Sequence, residues 1–231
     1  MEESPLSRRR LLWGAAGAAS TALAVAGLSQ LMGPGGKGAE AAPAVPVRKA
    51  GGAAGSTAVR RRDSSVDYAP AVWVEACESN YMSSDRPEEY PIDYVVIHLT
   101  TDFLPRMLRM FQDPSEGVSA HYVISSTGTR IAQCVRERDV AWHAGNVWYN
   151  QRSIGIEHEG WVDQPVYSDG MYEASAVLTA TICAKYDVPV DRDHILGHVE
   201  VPEALHEDPG PVWEWDKYMK LVQSARRRIK T

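Results

Sequence analysis

The sequence predicts an α/β or α+β domain built around one β-sheet. Short runs of β-branched and aromatic residues alternate with longer segments of helical periodicity, and no internal repeat interrupts that alternation. "YVVIHLTT" (94–101) is apolar on both faces at its start and predicts a buried strand. "LPRMLRMFQ" (104–112) predicts a helix, with Pro105 in its first turn and Leu104, Leu108 and Phe111 on one face. "AHYVISSTGTRIAQCV" (120–135) predicts two strands around a Ser-Thr-Gly turn. "SIGIEHEG" (153–160) is a further strand with a glycine inside it. "MYEASAVLTATICAKYD" (171–187) predicts an amphipathic helix ended by Asp187-Val188-Pro189. "HILGHVEV" (194–201) is strand-like. "WEWDKYMKLVQSARRRIK" (213–230) is a final helix whose Arg and Lys cluster at its C-terminal end, where they complement the helix dipole.

The first residues stand apart from this domain, which the sequence places at 63–231. "SRRRLL" (7–12) precedes an Ala-, Gly- and Leu-rich run with Ala-x-Ala spacing at Ala39 and Ala41. Residues 1–41 therefore read as a twin-arginine-type signal peptide, and the protein is expected to be exported to the cell-wall or extracellular space. The run is long enough to span a bilayer, but its weak hydrophobicity favours cleavage over a retained anchor. No stable membrane insertion is expected after cleavage. Residues 42–62, rich in Ala, Pro, Gly and basic side chains, read as a flexible linker.

Charge divides at the same boundary. Residues 1–62 carry nine Lys/Arg against three Asp/Glu, a net of +6, which leaves −12 of the total −6 for residues 63–231. An acidic domain is not a nucleic-acid binder by charge, and it gains nothing from bulk attraction to an anionic polymer. Any grip on such a polymer has to come from a specific cleft. The three cysteines, Cys77, Cys134 and Cys183, have no CxxC spacing, which argues against a Cys-rich structural zinc site. In an exported protein they allow one disulfide with a thiol left over, or burial as small apolar residues. A monomer is expected.

The candidate chemistry begins at His98, where the run Tyr94–Ile97 leaves the core. Alone it fits a buried neutral histidine. A second histidine on a strand-like segment, His198, changes that reading. Two histidines and a third ligand from a loop are a usual way to hold catalytic zinc with a fourth position open. Asp208 precedes Pro209, so its backbone is extended, and residues 206 and 208 then point to one side while Glu207 points away. On spacing alone, either His206 or Asp208 completes the set. Glu200, Glu203 and Glu207 read as a solvated acidic loop.

Five ordered pieces, "VVIHLTT", "VSAHYVISSTGTRIAQCV", "AWHAGN", "SIGIEHEG" and "GHVEVPEALHEDPGPVWEWDKY", resemble the type 2 N-acetylmuramoyl-L-alanine amidases, whose fold is shared with peptidoglycan recognition proteins. The resemblance spans about Asp67 to Trp215. It implies a mixed central β-sheet flanked by helices, one Zn2+ per chain, and peptidoglycan or muropeptide as substrate, cut at the amide between N-acetylmuramic acid and L-alanine. It implies His98, His198 and Asp208 as metal ligands and Glu157 as the catalytic acid/base, with Glu159 ranked second. It places His206 beside the reacting carbonyl, where a histidine in the place of the family's frequent lysine makes the charge depend on pH. Trp142, His143 and Asn146 fall on the substrate-facing loop. His121 reads as structural or supporting, His158 as unrelated, and His194 has no evident partner. Two other classes remain at this point: a non-catalytic peptidoglycan-binding or sensing protein of the same fold, and a zinc enzyme for another amide.

Overall fold

The computed structural model describes residues 66–163 and 166–229. The expected signal (1–41) and linker (42–62) lie outside the described residues. The chain divides into two units, Met1–Ala58 and Val59–Thr231, and the second holds every residue described below.

Its strands are β1 (Val72–Trp73), β2 (Tyr81–Met82), β3 (Tyr94–Leu99), β4 (Tyr122–Ile124), β5 (Ile131–Gln133), β6 (Val140–Ala141), β7 (Ser153–His158) and β8 (Ile195–Gly197). Its helices are α1 (Leu104–Gln112), α2 (Val147–Arg152), α3 (Asp169–Tyr186) and α4 (Trp215–Arg228). Six strands form one mixed sheet in the order β1-β5-β4-β7-β3-β8, in which only the β4–β5 pair is antiparallel. β2 and β6 pair separately. Among the described residues no helix is long and apolar enough to cross a membrane.

Alternation along the strands sorts the core into two layers. Val95, Ile97 and Leu99 of β3, with Ile154 and Ile156 of β7, face α3 and α4. On the other face Val123 and Ala132 meet Leu104, Met107, Leu108 and Phe111 of α1. Val96 joins a small cluster with Ala144 and Val201 on that same face. His98, two residues beyond Val96, therefore emerges on the α1 side. The β4–β5 turn requires a glycine: Gly128 has φ +73°, and a Cβ there would lie 2.0 Å from the carbonyl oxygen of Gly170.

Two expectations are corrected. α3 is not amphipathic but is buried over much of its circumference, because the sheet covers one side and α4 another. Its polar positions are satisfied inside: Ser175 and Thr179 both share the Tyr218 hydroxyl of α4, at 2.8 and 2.7 Å. The segment 194–201 is a strand only to Gly197, and His198–Glu200 forms a 3₁₀ turn. The Glu200 carboxylate accepts the Gly197 N–H at 2.7 Å and closes that turn. Glu200 also pairs with Arg192 while staying exposed, as Glu203 and Glu207 do.

Arg86, 3% exposed, ties the segment that carries the cleft wall. Its guanidinium donates to the main-chain oxygens of Glu137, Asp139, Asn150, Gln151 and Ser153. Burial lowers its pKa to about 10, which leaves it charged at neutral pH. Arg86→Met strands several buried carbonyls at once and should destabilise the domain by about 3 kcal/mol or more in chemical denaturation, and Arg86→Lys, which lacks the planar fork, should restore little of it.

Candidate metal centre and active-site cleft

His98 is the fifth residue of β3, and its register partner on the parallel neighbour β7 is Glu157. Register partners project from the same face, so the two side chains open together into a cleft of about 570 Å³. His198 enters the same cleft from the first position of the 3₁₀ turn after β8. The turn also carries Asp208 into place: the Val199 N–H donates to the Asp208 carbonyl at 2.9 Å, and the Asp208-Pro209 peptide is cis.

The Asp208 carboxylate sits between the two imidazoles. Its Oδ2 lies 3.3 Å from His98 Nδ1 and accepts the Leu99 N–H at 3.3 Å, while its Oδ1 lies 3.2 Å from His198 Nδ1. All three side chains are buried, and one ligand atom from each lies within 4.8 Å of the others. Burial alone would raise the Asp208 carboxyl, but the bonds to His198 and His98 hold it well below the usual carboxylate range. Burial pushes His98 down to about 4, against the pull of Asp208.

Glu157 faces this group without a hydrogen bond. Its Oε2 is covered and unpartnered, although the residue as a whole is partly exposed. Burial, and then the charge of Asp208, push its pKa up to about 8. An acid poised near neutrality beside a cluster of two imidazoles and a carboxylate is suited to general acid/base work. The set His98, His198 and Asp208 fits a borderline divalent ion such as Zn2+ on its chemistry: N, N and O donors, buried and converging, opening onto a cleft.

His206 stands at the rim. Its side chain is 58% exposed and its ring stacks on His198 at 4.2 Å, with Nδ1 3.8 Å from Asp208 Oδ1. Trp142, 36% exposed, forms part of the cleft wall. Asn146 does not line the cleft, contrary to expectation. Its Oδ1 accepts the N–H groups of Trp148 and Tyr149 and caps α2, and its Nδ2 donates to Pro202 O at 3.2 Å. His143 lies against the cleft floor but is 8% exposed and has partners at both ring nitrogens, His98 and Ser153.

Glu159 is also elsewhere. It accepts from Leu104 N and Ser126 N, at 2.9 and 2.8 Å, and so tethers the start of α1 to the β4–β5 turn. His121 is structural, accepting the Gly155 N–H at 3.0 Å. His158 points to the α3 side, where it donates to the His98 carbonyl and bonds Ser175. His194 pairs with Asp191 at 2.7 Å. All three cysteines are free, with Cys134 and Cys183 buried. The sequence reading missed the opposite wall of the cleft, made by Met82, Met107, Met110, Phe111 and Val118. Met107 and Phe111 had a signal, since both lie on the apolar side of α1; Met82 and Val118 sit in segments without periodicity.

A family model described as N-acetylmuramoyl-L-alanine amidase matches residues 88–211. Among curated proteins, N-acetylmuramoyl-L-alanine amidase A of Achromobacter lyticus is 34% identical over 180 residues, 70% of this chain and 98% of that protein. The 1,6-anhydro-N-acetylmuramyl-L-alanine amidase AmpD of Salmonella typhimurium is 39% identical over 120 residues, 49% of this chain and 62% of that protein. The crystal structure of a selenomethionine AmpD derivative superposes with a TM-score of 0.57 at 29% identity, covering 67% of this chain and 96% of that one. The Escherichia coli amidase AmiD, in complex with the substrate anhydro-N-acetylmuramic acid-L-Ala-D-gamma-Glu-L-Lys, superposes with a TM-score of 0.51 at 25% identity, covering 62% and 66% of the two chains.

The raised carboxyl of Glu157 has a consequence for stability. Unfolded, it ionises near its ordinary 4.5, and folded, near 8, so between those values the folded state binds the extra proton and metal-free stability falls as pH rises. Glu157→Gln removes that penalty. In thermal melts of the metal-free protein, the variant should exceed the wild type by a few kcal/mol at pH 8 and converge with it as pH falls toward 4.5; a pH-independent difference would contradict the assignment.

Proposed function

This chain belongs to the N-acetylmuramoyl-L-alanine amidase family, and we propose that it is a zinc-dependent enzyme that hydrolyses the amide between N-acetylmuramic acid and L-alanine in peptidoglycan or its muropeptide fragments. The observation that carries this reading is the buried His98–Asp208–His198 group with the unpartnered Glu157 carboxyl facing it. A purely binding member of the fold would have no use for an acid held near neutrality at that place.

His98, His198 and Asp208 would hold the ion. Zinc in such a site supplies Lewis acidity and a water of lowered pKa. Glu157 takes a proton from the attacking water and returns it to the departing amino group of L-alanine. Its covered Oε2, without a hydrogen-bond partner among the described residues, is available for that transfer. His206, at the open rim and braced against His198, donates a hydrogen bond to the carbonyl oxygen as negative charge develops there. Trp142 and the apolar wall of Met110, Phe111 and Val118 shield the reacting amide from bulk water. Export through the segment 1–41 belongs to the same reading, since the substrate polymer lies outside the cytoplasm.

Asp208→Ala should lose stoichiometric zinc by elemental analysis, and retention of the metal would remove Asp208 from the ligand set. His206→Ala should keep its zinc and lose roughly a hundredfold in turnover on a soluble muropeptide. Loss of the metal in that variant would instead make His206 a ligand. Replacing Arg8 and Arg9 together by Lys should leave the protein in the cytoplasmic fraction, whereas unchanged export would refute the twin-arginine assignment.

A further inference from the structure

His143 was expected to touch substrate, yet its contacts point inward. Its Nδ1 lies 3.0 Å from His98 Nε2, and its Nε2 lies 3.2 Å from Ser153 Oγ. The Ser153 hydroxyl is itself committed, since it lies 2.6 Å from the carbonyl oxygen of Tyr149, which can only accept. The proton positions along this row then follow from either end. With the Ser153 proton given to Tyr149 O, Ser153 Oγ accepts, so His143 Nε2 carries hydrogen and donates. If His98 offers its Nδ1 lone pair to a metal, its Nε2 carries hydrogen, so His143 Nδ1 must accept. Both ends demand one neutral tautomer of His143.

The surrounding chain is shaped to keep the ring there. A Cβ on Gly155 would come within 2.5 Å of His143 Cγ, so the glycine in β7 is the slot into which the imidazole fits. The His143 main-chain N–H is fixed by Asn150 Oδ1 at 3.0 Å, and the His121 ring abuts His143 edge-on at 5.7 Å. Both ring nitrogens of His143 are thereby engaged by protein partners.

We propose that His143 is a positioning residue for the metal: by accepting the Nε2–H of His98 it holds that ring with its Nδ1 lone pair turned toward Asp208 and the ion. The proposal rests on the zinc-site reading above, and it removes His143 from the substrate contacts. Second partners of this kind fix both the tautomer and the aim of a ligating imidazole, and their loss typically weakens metal binding by about 10- to 100-fold.

The test is zinc affinity by chelator competition on metal-free protein, with folding checked by circular dichroism and with kcat and KM measured at saturating zinc. His143→Leu, which removes the acceptor, should weaken zinc binding by about 10- to 100-fold, and His143→Asn, which keeps an acceptor oxygen near the Nδ1 position, should recover most of it. KM should stay near the wild-type value in both once zinc is saturating. A folded His143→Leu with unchanged zinc affinity overturns the proposal, as does a raised KM with unchanged zinc affinity, which would return His143 to the substrate. Should the Leu variant fail to fold, Ser153→Ala decides, because it frees the His143 tautomer without touching the cleft: a several-fold weaker affinity supports the proposal and an unchanged one overturns it. A wild type that binds no zinc at all would sink the metal-site reading itself, an outcome distinct from the others.

Discussion

One carboxylate organises the cleft. Asp208 is drawn out of solvent and held by the Leu99 N–H on one oxygen, with His98 on that side and His198 on the other. A buried charge is tolerated only when paired, and here the charge and its partners come from three separate stretches of chain. The end of β3 supplies Leu99 and His98, the turn after β8 supplies His198, and the loop before α4 supplies the carboxylate itself. The sheet is what brings them together: β3 lies between β7 and β8, so its last residues are flanked by Glu157 on one side and His198 on the other. The α3 and α4 layer, packed on the opposite face, keeps that sheet rigid beneath the site.

The same carboxylate also acts on the proposed acid/base group. Its charge adds to burial in raising the Glu157 pKa to about 8, so the proposed acid/base group and a proposed metal ligand are electrostatically linked. His206 is the one histidine of the site left largely in solvent, as suits the proposed donor to a substrate oxygen. Behind the site the row His98, His143, Ser153 and Tyr149 O carries each hydrogen-bonding group to a partner, ending on the main chain.

Much of this was legible in sequence, and the failures have physical reasons. α1 fell where its Pro105 and apolar face placed it, because local signals and burial agree there. The buried runs of β3 and β7 were equally plain. α2 was missed because it is short and has no buried residue; its one signal was Asn146, an N-cap type that was read instead as a substrate contact. β1, β2 and β6 are two-residue strands defined only by their partners. His198 was expected in a strand because the carboxylate that ends it, Glu200, acts through a reach back to Gly197 that periodicity does not record. Alternation likewise put Glu157 and Glu159 on one face, but β7 ends at His158, and Glu159 goes to the start of α1. Local pattern thus located the residues, while tertiary contacts decided which of them enter the cleft.

The most direct test of the account is the identity of the bond broken. Zinc-loaded protein is incubated with a soluble muropeptide in heavy-oxygen water, and the products are read by mass spectrometry. Hydrolysis of the proposed amide gives a free peptide beginning at L-alanine, and a muramic acid whose lactyl carboxylate carries one heavy oxygen from the solvent. Binding without release of peptide, or heavy oxygen placed on a peptide carboxylate or on the sugar, would contradict it.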